Sequence, residues 1–337
     1  MDKLRVAMVG LGHQAEEDHI PGIMESEFDK LVAICDPDEE RLLIWKNKLN
    51  LPAYKDYKEL LHNEKLDFVI IATPHDSHLE IVNEAAKNGV HILKEKPLAK
   101  CLAEAKVIKD VCNQNKIYLS VTLQRRFNPI YSTFFQLIDK IGDISYIEMK
   151  YCLFSSEPHN GWRGCKNKCG GGCILDMGYH MVDMLIWYFC LPDRVFADFS
   201  SVRNGEESVE VEDNATIGFS FNNSISGSII LSRYYSPKTE YIKVIGSKGI
   251  LFVERGKISR LKSNCEVIEA LTRENAWSTA ASNQIDYFCK VVEGQRENIS
   301  GPEMHLKHMS FIEACYLSRK KGEFINPHNF LEEDGNK

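Results

Sequence analysis

The chain has 337 residues, with 41 lysines and arginines against 48 aspartates and glutamates, so its formal net charge is −7 and its pI is about 5.9. This balance argues against a protein that binds nucleic acid by neutralising phosphates, and the length suggests two domains. The longest apolar run, Met184 to Leu191, is too short to cross a bilayer, and the amino terminus lacks a secretory signal pattern. We therefore expect a cytoplasmic protein with no membrane partner and with its eleven cysteines reduced.

The first third of the chain alternates short apolar strands with amphipathic helical segments. The predicted strands are Leu4 to Val9, Lys30 to Cys35, Phe68 to Thr73, Val90 to Leu93 and Ile117 to Val121. Strands alternating with helices in this way are typical of a parallel sheet covered on both faces. Residues 1–123 are therefore predicted to form a doubly wound α/β domain of the Rossmann type.

The pattern changes after about residue 124, where apolar and polar residues alternate within longer segments. The predicted strands are Tyr146 to Leu153, Ala215 to Phe221, Ile225 to Leu231, Tyr241 to Ile245 and Ile250 to Glu254. Asn222-Asn223 and Gly246 to Gly249 are natural hairpin connections, so this sheet is predicted to be largely antiparallel. We assign residues 124–337 to a second α/β domain, which includes two late helices, one around Ile285 to Val292 and one over 302–321.

A glycine-rich turn directly follows the first predicted strand. Gly10-Leu11-Gly12-His13-Gln14-Ala15 has the pattern G-x-G-x-x-A, which lets the backbone approach a pyrophosphate at a helix amino terminus. Asp36 ends the second strand, where an acid accepts hydrogen bonds from the adenosine ribose. A carboxylate there repels a 2′-phosphate, which favours NAD over NADP. If Asp36 only caps a turn, NADP stays open.

Two polar segments follow later strands of the same predicted sheet, at the edge where such sheets bind ligands. Thr73-Pro74 with His78 follows one strand, and Glu95-Lys96-Pro97 follows the next. A residue before proline is biased away from helix, and its peptide bond has an appreciable chance of being cis. Lys96 is therefore interpreted as a side chain held in a fixed direction rather than as a surface charge.

In the second half, polar residues concentrate in Trp162-Arg163, Gly170-Gly-Gly172 and Asp176-Met-Gly-Tyr-His180. Asp176 and His180 are four residues apart, so a helix would project both from one face. A carboxylate beside an imidazole favours the imidazolium, which suits a histidine that takes up a proton. The alternative is a histidine that is simply buried and hydrogen-bonded in the core.

Three cysteines, Cys165, Cys169 and Cys173, lie close to these residues, with His159 nearby. Their spacing is not the paired C-x2-C type of zinc sites, and no second pair follows. We interpret them as free thiols in a loop beside the substrate site and expect no metal.

Taken together, these motifs resemble the Gfo/Idh/MocA family of NAD(P)-dependent oxidoreductases. The resemblance rests on the glycine turn, Asp36, Thr73-Pro74 with His78, Glu95-Lys96-Pro97, and Gly170 to Gly172 with Asp176-x-Gly-x-His180. It spans essentially the whole chain in the right order. It implies a Rossmann domain, a second domain with a large open sheet, and hydride transfer between nicotinamide and a hydroxyl-bearing carbon of a sugar, cyclitol or related polyol.

The resemblance also implies roles for individual residues. Lys96 would contact the reacting hydroxyl and the nicotinamide ribose, His180 would act as general acid and base, and Asp176 would orient substrate and histidine. The expected cofactor-binding residues are Gly10, Leu11, Gly12, His13, Gln14, Asp36, Thr73, Pro74, His78, Glu95, Lys96 and Gln124. The expected substrate-binding residues are Arg126, Trp162, Arg163, Asp176 and His180.

Three functions are compatible with these residues. The first is an NAD-dependent sugar or polyol dehydrogenase, which could run as a keto-sugar reductase in biosynthesis. The second is a nucleotide-sugar 3-dehydrogenase, for which Arg163, Lys166, Lys168 and Arg233 are candidate diphosphate contacts. The third is a non-catalytic dinucleotide sensor, against which the intact set of Lys96, Asp176 and His180 argues. The open second sheet, through which the family often associates, leads us to expect a homodimer or homotetramer.

Overall fold

The computed structural model describes residues 2–202, 210–222, 224–273, 277 and 279–331. The chain divides into two compact units. The first contains Met1–Gln124 and Trp277–His305, and the second contains Arg125–Ala276 and Leu306–Lys337. The predicted break at residue 123/124 is thus one residue from the observed one. The prediction that everything after it forms the second domain is wrong for the segment 277–305.

The first unit is built on a six-stranded parallel sheet in the order β3-β2-β1-β4-β5-β6. Its strands are β1 Leu4–Val9, β2 Asp29–Cys35, β3 Ala53–Tyr54, β4 Phe68–Ile71, β5 His91–Lys94 and β6 Leu119–Val121. Its helices are α1 Ile20–Glu25, preceded by a π-helical turn Ala15–His19, then α2 Glu39–Leu49, α3 Tyr57–Asn63, α4 His78–Lys87 and α5 Leu102–Asn115. The predicted Rossmann topology is confirmed, with the strand order reversing between β1 and β4.

A late helix, Ala280–Val292, joins this first unit. Ile285, Phe288 and Cys289 belong to the core cluster that also holds Val6, Met8 and Phe68. The rings of Phe68 and Phe288 meet edge to face, 5.4 Å apart. The i, i+3, i+4 spacing correctly predicts the helix, whereas its packing partner, a sheet far earlier in the sequence, is decided by tertiary packing.

The second unit opens with two short helices, α6 Pro129–Ser132 and α7 Phe134–Leu137. Its sheet has eight strands in the order β14-β13-β12-β11-β7-β10-β9-β8. These are β7 Ile144–Phe154, β8 Arg194–Ser200, β9 Asn214–Phe221, β10 Ile225–Ser232, β11 Tyr234–Gly246, β12 Gly249–Glu254, β13 Lys257–Leu261 and β14 Val267–Thr272. Between β7 and β8 lie α8 Lys166–Cys169 and α9 Gly178–Phe189. The late helix of the first unit is α10 Ala280–Val292, and α11 Pro302–Lys321 follows it.

The pairing in this second sheet is antiparallel except between β7 and β10. Gly246 pairs with Gly249, which confirms the predicted tight hairpin between β11 and β12. Strands β9 and β10 pair as predicted, and Asn222 has a positive φ of 40° that suits a turn. Asn223, the other half of that predicted turn, lies outside the described residues.

No helix among the described residues is both long and apolar enough to traverse a bilayer.

Candidate functional site

The glycine turn of the first unit follows β1 at the carboxyl edge of the parallel sheet. Gly10 has a φ of 90°, and a Cβ added there would lie 2.6 Å from the carbonyl oxygen of Ala72, so only glycine allows this turn to pass the end of β4. A Cβ at Gly12 would meet no atom within 4 Å. The backbone at Gly12 therefore faces open space, as a pyrophosphate cradle requires.

Side chains around this turn converge on Asp18. Gln14 donates a short hydrogen bond to its carboxylate, and Gln124 donates another at 2.7 Å. His13 is exposed. The predicted cofactor residues Gln14 and Gln124, far apart in sequence, thus share a partner that the motif analysis did not identify.

Asp36 is buried and holds the glycine turn. Its Oδ2 accepts from the backbone amide of Leu11 at 2.8 Å and its Oδ1 from the amide of Asp38 at 2.9 Å. A guanidinium nitrogen of Arg41, a half-exposed side chain, lies 3.6 Å from Oδ2. Both interpretations of Asp36 are therefore compatible with the structure. Its carboxylate caps backbone turns, and it also lies at the end of β2, where an acid that binds the ribose is expected. Arg41, which no motif indicated, places a positive charge close to this carboxylate.

The loop after β4 presents Thr73 and the exposed Pro74, with the Ser77 hydroxyl donating to the Thr73 hydroxyl at 2.7 Å. His78 does not lie at the surface of this loop. Its ring is buried, and its Nε2 donates to the carbonyl oxygen of Thr73 at 3.0 Å. Burial lowers the pKa of His78 well below its usual value, so the ring is neutral. This corrects the expectation of a direct cofactor contact, since His78 supports the loop from beneath.

The segment after β5 carries Glu95 and the half-buried Lys96, and the Lys96-Pro97 peptide bond is cis. Glu95 pairs with His19 at 2.8 Å. Burial alone would raise the pKa of Glu95, but the hydrogen bond and charge of His19, together with the charge of Lys96, hold it below its ordinary range. Glu95 is thus a carboxylate that anchors this segment to the helix following the glycine turn.

These residues of the first unit fit a dinucleotide. Gly10 and Gly12 leave room for the pyrophosphate, Asp36 offers carboxylate oxygens at the ribose position, and Thr73, Pro74 and Lys96 follow the next two strands at the same edge. When bound, the nicotinamide supplies or accepts a hydride.

In the second unit, His180 lies in the first turn of α9, which begins at Gly178. Asp176 therefore sits in the turn before the helix, which corrects the expectation of an i, i+4 pair on one helical face. Asp176 is paired with Arg233, whose guanidinium lies 3.2 Å from Oδ2. Arg233 is only 4% exposed, and its second terminal nitrogen has no hydrogen-bond partner among the described residues.

His180 is half-buried beside Tyr151, with the two ring centroids 6.3 Å apart. Arg125 stacks on Tyr151, with its guanidinium carbon 5.4 Å from the ring centroid, and is paired with the buried Glu240 at 2.8 Å. This ordered chain of contacts fixes the surroundings of His180 on the side of β7. Neither Tyr151 nor Glu240 carried a sequence signal, because an alternating strand pattern does not distinguish a site tyrosine from a packing one.

Arg126 is not at a surface where a substrate could reach it. Its side chain is 1% exposed and forms a short ion pair with the fully buried Asp183 of α9. His308 of α11 lies 2.8 Å from the same carboxylate. Burial alone would raise the pKa of Asp183, but Arg126 and His308 outweigh it and lower that pKa. The expectation that Arg126 binds substrate is therefore wrong in this structure, since its guanidinium anchors the helix that carries His180.

The glycine triplet before Asp176 is fixed by Glu212. A Cβ at Gly172 would lie 2.0 Å from the Glu212 carbonyl oxygen. The Glu212 carboxylate accepts from the amides of Gly172 and Ile174 at 3.0 and 2.9 Å. The glycine is thus required by close backbone approach, and Glu212, which no motif indicated, orders the turn that leads to Asp176.

Trp162 and Arg163 lie on one short 3-10 turn, Gly161–Gly164, with the Arg163 guanidinium 4.6 Å from the Trp162 ring centroid. Cys165 is half-buried, whereas Cys169 and Cys173 are buried. Burial raises the pKa of the Cys173 thiol well above its usual value. Within the described part of the chain, no group of three or more histidine, cysteine, aspartate or glutamate side chains is arranged to hold a metal.

Comparisons with known proteins agree with this architecture. Residues 4–123 match the model of the oxidoreductase family with an NAD-binding Rossmann fold, and residues 133–252 match the GFO/IDH/MocA C-terminal domain. Among solved structures, levoglucosan dehydrogenase in complex with NADH and levoglucosan superimposes with a TM-score of 0.85 at 20% identity, covering 96% of this chain and 99% of that one.

Two curated relatives illustrate how much of the chain such matches cover. The uncharacterized oxidoreductase YdgJ of Escherichia coli is 26% identical over 212 residues, which are 62% of this chain and 60% of YdgJ. The matched part therefore spans about three fifths of that relative's length. D-apiose dehydrogenase of Paraburkholderia graminis is 26% identical over 350 aligned positions, covering 96% of this chain and 89% of the relative. With both of its domains matched, the chain belongs to the GFO/IDH/MocA family of oxidoreductases and carries that family's NAD-binding Rossmann domain.

Proposed function

We propose that this protein is an NAD-dependent oxidoreductase that transfers a hydride between nicotinamide and a secondary alcohol or ketone carbon of a sugar or cyclitol. The proposal rests on two residues that this chain contains. Lys96 closely follows β5 of the Rossmann sheet, and His180 lies in the first turn of α9. A fold alone would not require either residue. The similarity to D-apiose dehydrogenase over 96% of the chain supports a carbohydrate substrate.

Each residue has a distinct chemical task in this proposal. Oxidation of an alcohol needs a base within hydrogen-bond reach and a positive charge that stabilises the alkoxide as it forms. His180 takes the hydroxyl proton, and the Lys96 ammonium stabilises the developing negative charge. Asp176, held by Arg233, accepts a hydrogen bond from a further substrate hydroxyl. In the reductive direction His180 returns the proton.

A neutral sugar or cyclitol is preferred to a nucleotide sugar. A diphosphate needs an accessible basic surface. Arg233, one of the candidates for that surface, is buried and already paired with Asp176. Lys166 and Lys168 are exposed on the short helix α8, and Arg163 is exposed on the neighbouring 3-10 turn. The nucleotide-sugar 3-dehydrogenase is therefore the second candidate, supported by these three residues alone.

The test is the nicotinamide absorbance of the purified protein mixed with NAD or NADP and a panel of sugars, cyclitols, sugar phosphates and nucleotide sugars. Lys96→Ala and His180→Ala serve as controls. Turnover that disappears in both variants while they still bind NADH supports the proposal and names the substrate. Binding of NADH without turnover on any compound, in either direction, would instead favour a dinucleotide sensor.

We also propose that the protein self-associates through the open face of its second sheet, as a homodimer or homotetramer. Residues paired across β10, β7 and β11 place Ile230, Lys150 and Tyr241 in one row, and Ile230 is 37% exposed there. Tyrosine is enriched at protein interfaces, and an interface on this face would cover the exposed apolar side chain of Ile230. Sedimentation equilibrium should show an oligomer that Ile230→Glu weakens, and a wild-type monomer would contradict it.

A further inference from the structure

Lys94, the last residue of β5, is a lysine with no exposed surface. Its Nζ lies 2.8 Å from the carbonyl oxygen of Glu95, 2.6 Å from that of Pro97 and 3.2 Å from that of Leu98. An ammonium has three N–H bonds, so three carbonyl acceptors match its full donor capacity. A buried lysine is rare, and this one is directed entirely at the turn that follows its own strand.

Burying this side chain has a cost that the three carbonyls offset. Burial lowers the pKa of Lys94 to about 7, while the charge of Glu95 opposes that shift. A leucine or valine at this strand position would avoid the cost but would remove a donor from each carbonyl. The placement therefore serves the turn, because all three acceptors of the Lys94 side chain lie in the residues that follow β5.

The turn that Lys94 holds carries Lys96. Two of the three bonded carbonyls belong to Glu95 and Pro97, the residues on either side of Lys96. The Glu95 side chain is in turn fixed by His19. The backbone of Lys96 is thus constrained on both sides by one buried ammonium, while Lys96 itself remains half-buried.

We propose that Lys94 is the positioning residue for Lys96: its ammonium fixes the backbone from which the Lys96 side chain reaches the substrate. This inference rests on the proposed function of Lys96. It adds a requirement that the motif itself does not contain, namely a buried cation one residue before Glu95-Lys96-Pro97. Misplacing a reactive group by about 1 Å can cost about 100-fold in rate, so a loose turn should affect catalysis well before it affects folding.

The first experiment compares Lys94→Met with Leu93→Ala. Met keeps much of the length of the side chain and removes the three donors, whereas Leu93→Ala destabilises the same strand by leaving a cavity in the core. We expect kcat to fall about 100-fold in Lys94→Met, with the Kd of NADH changed by no more than about threefold. Leu93→Ala should retain kcat at temperatures well below its Tm. Equal kcat losses in two variants of equal Tm would overturn the proposal.

The second experiment is a double-mutant cycle with Lys96→Ala. If Lys94 acts through Lys96, Lys94→Met should have little further effect on kcat once Lys96 is gone. If its role is only to stabilise the fold, the two losses should multiply, and the proposal fails.

A third readout does not depend on turnover. Hydrogen exchange followed by mass spectrometry should show faster exchange over residues 95–101 in Lys94→Met, with residues 4–9 of β1 unchanged. Unchanged exchange over 95–101 would overturn the proposal even in an active enzyme. Failure of wild-type turnover, with the exchange effect present, would contradict the proposed function instead.

Discussion

The carboxylate of Asp36 accepts a hydrogen bond from the backbone amide of Leu11 at 2.8 Å, which ties the end of β2 to the glycine turn after β1. The carboxylate thus holds the shape of the glycine turn, and in the proposed function it also places a negative charge beside the ribose of the cofactor. Arg41, 3.6 Å away, balances that charge and is half-exposed. We therefore expect the choice between NAD and NADP to depend on this pair of residues rather than on Asp36 alone.

Replacing Asp36 by serine should shift the preference toward NADP. The substitution removes the carboxylate that repels a 2′-phosphate and leaves the Arg41 guanidinium free to pair with it. We expect the ratio of the NADPH to NADH dissociation constants to fall about tenfold, which corresponds to about 1.4 kcal/mol. Fluorescence titration with each cofactor measures the two dissociation constants. Arg41→Ala in the Asp36→Ser background should reverse the shift, and an unchanged ratio in Asp36→Ser would exclude this account.

His180→Ala should separate catalysis from cofactor binding. Loss of a positioned proton-transfer group lowers kcat by about 10² to 10⁴-fold. The dissociation constant of NADH should stay within about twofold, because the dinucleotide residues belong to the other unit. His328→Ala, which changes a partly exposed histidine of the same unit, is the matched control and should leave kcat unchanged. A His180→Ala enzyme with near wild-type kcat would remove His180 from the mechanism.

Arg126→Met should destabilise the second unit. It leaves the buried Asp183 and His308 without their cation, and breaking a buried ion pair typically costs about 3–5 kcal/mol. Urea denaturation measures the change in the free energy of unfolding. Lys262→Met, which breaks the exposed pair with Glu266, should change it by less than about 1 kcal/mol. Adding Asp183→Leu to Arg126→Met should restore part of the loss, and the absence of any rescue would argue against an electrostatic cause.

Asp29 should make the stability of the first unit fall as the pH rises. Burial raises the pKa of Asp29 from 3.8 to about 6 in the folded protein, against a weaker contribution from the Cys289 thiol. The folded state then holds the proton more tightly than the unfolded chain does. The stabilisation is complete below the unfolded pKa and is lost as the pH passes through about 6.

Asp29→Asn isolates this contribution. The stability difference between the variant and wild type should grow in favour of the variant by up to about 3 kcal/mol between about pH 4 and pH 7. Urea denaturation at several pH values measures it. A difference that does not change with pH would mean that Asp29 titrates normally.

Local sequence patterns predicted much of the fold of this protein. Alternation of apolar strands with helices predicted the parallel sheet, and β1 begins and ends at the predicted residues. The glycine turn and the antiparallel second sheet were also predictable, because each depends on conformational preferences within a few residues. The order of the motifs was sufficient to indicate the family.

Tertiary structure alone decided which charged residues are buried and what they contact. Arg126 and His78 lie in motifs that suggest ligand contact, yet each is buried within its own unit, Arg126 against Asp183 and His78 against the Thr73 carbonyl. The burial of Lys94 could not be predicted from the sequence, since a lysine in Lys-Glu-Lys is typical of a charged surface. A buried charge is tolerated only where partners from distant segments surround it, and which segments meet is decided by the packing of the whole domain, which no local spacing encodes.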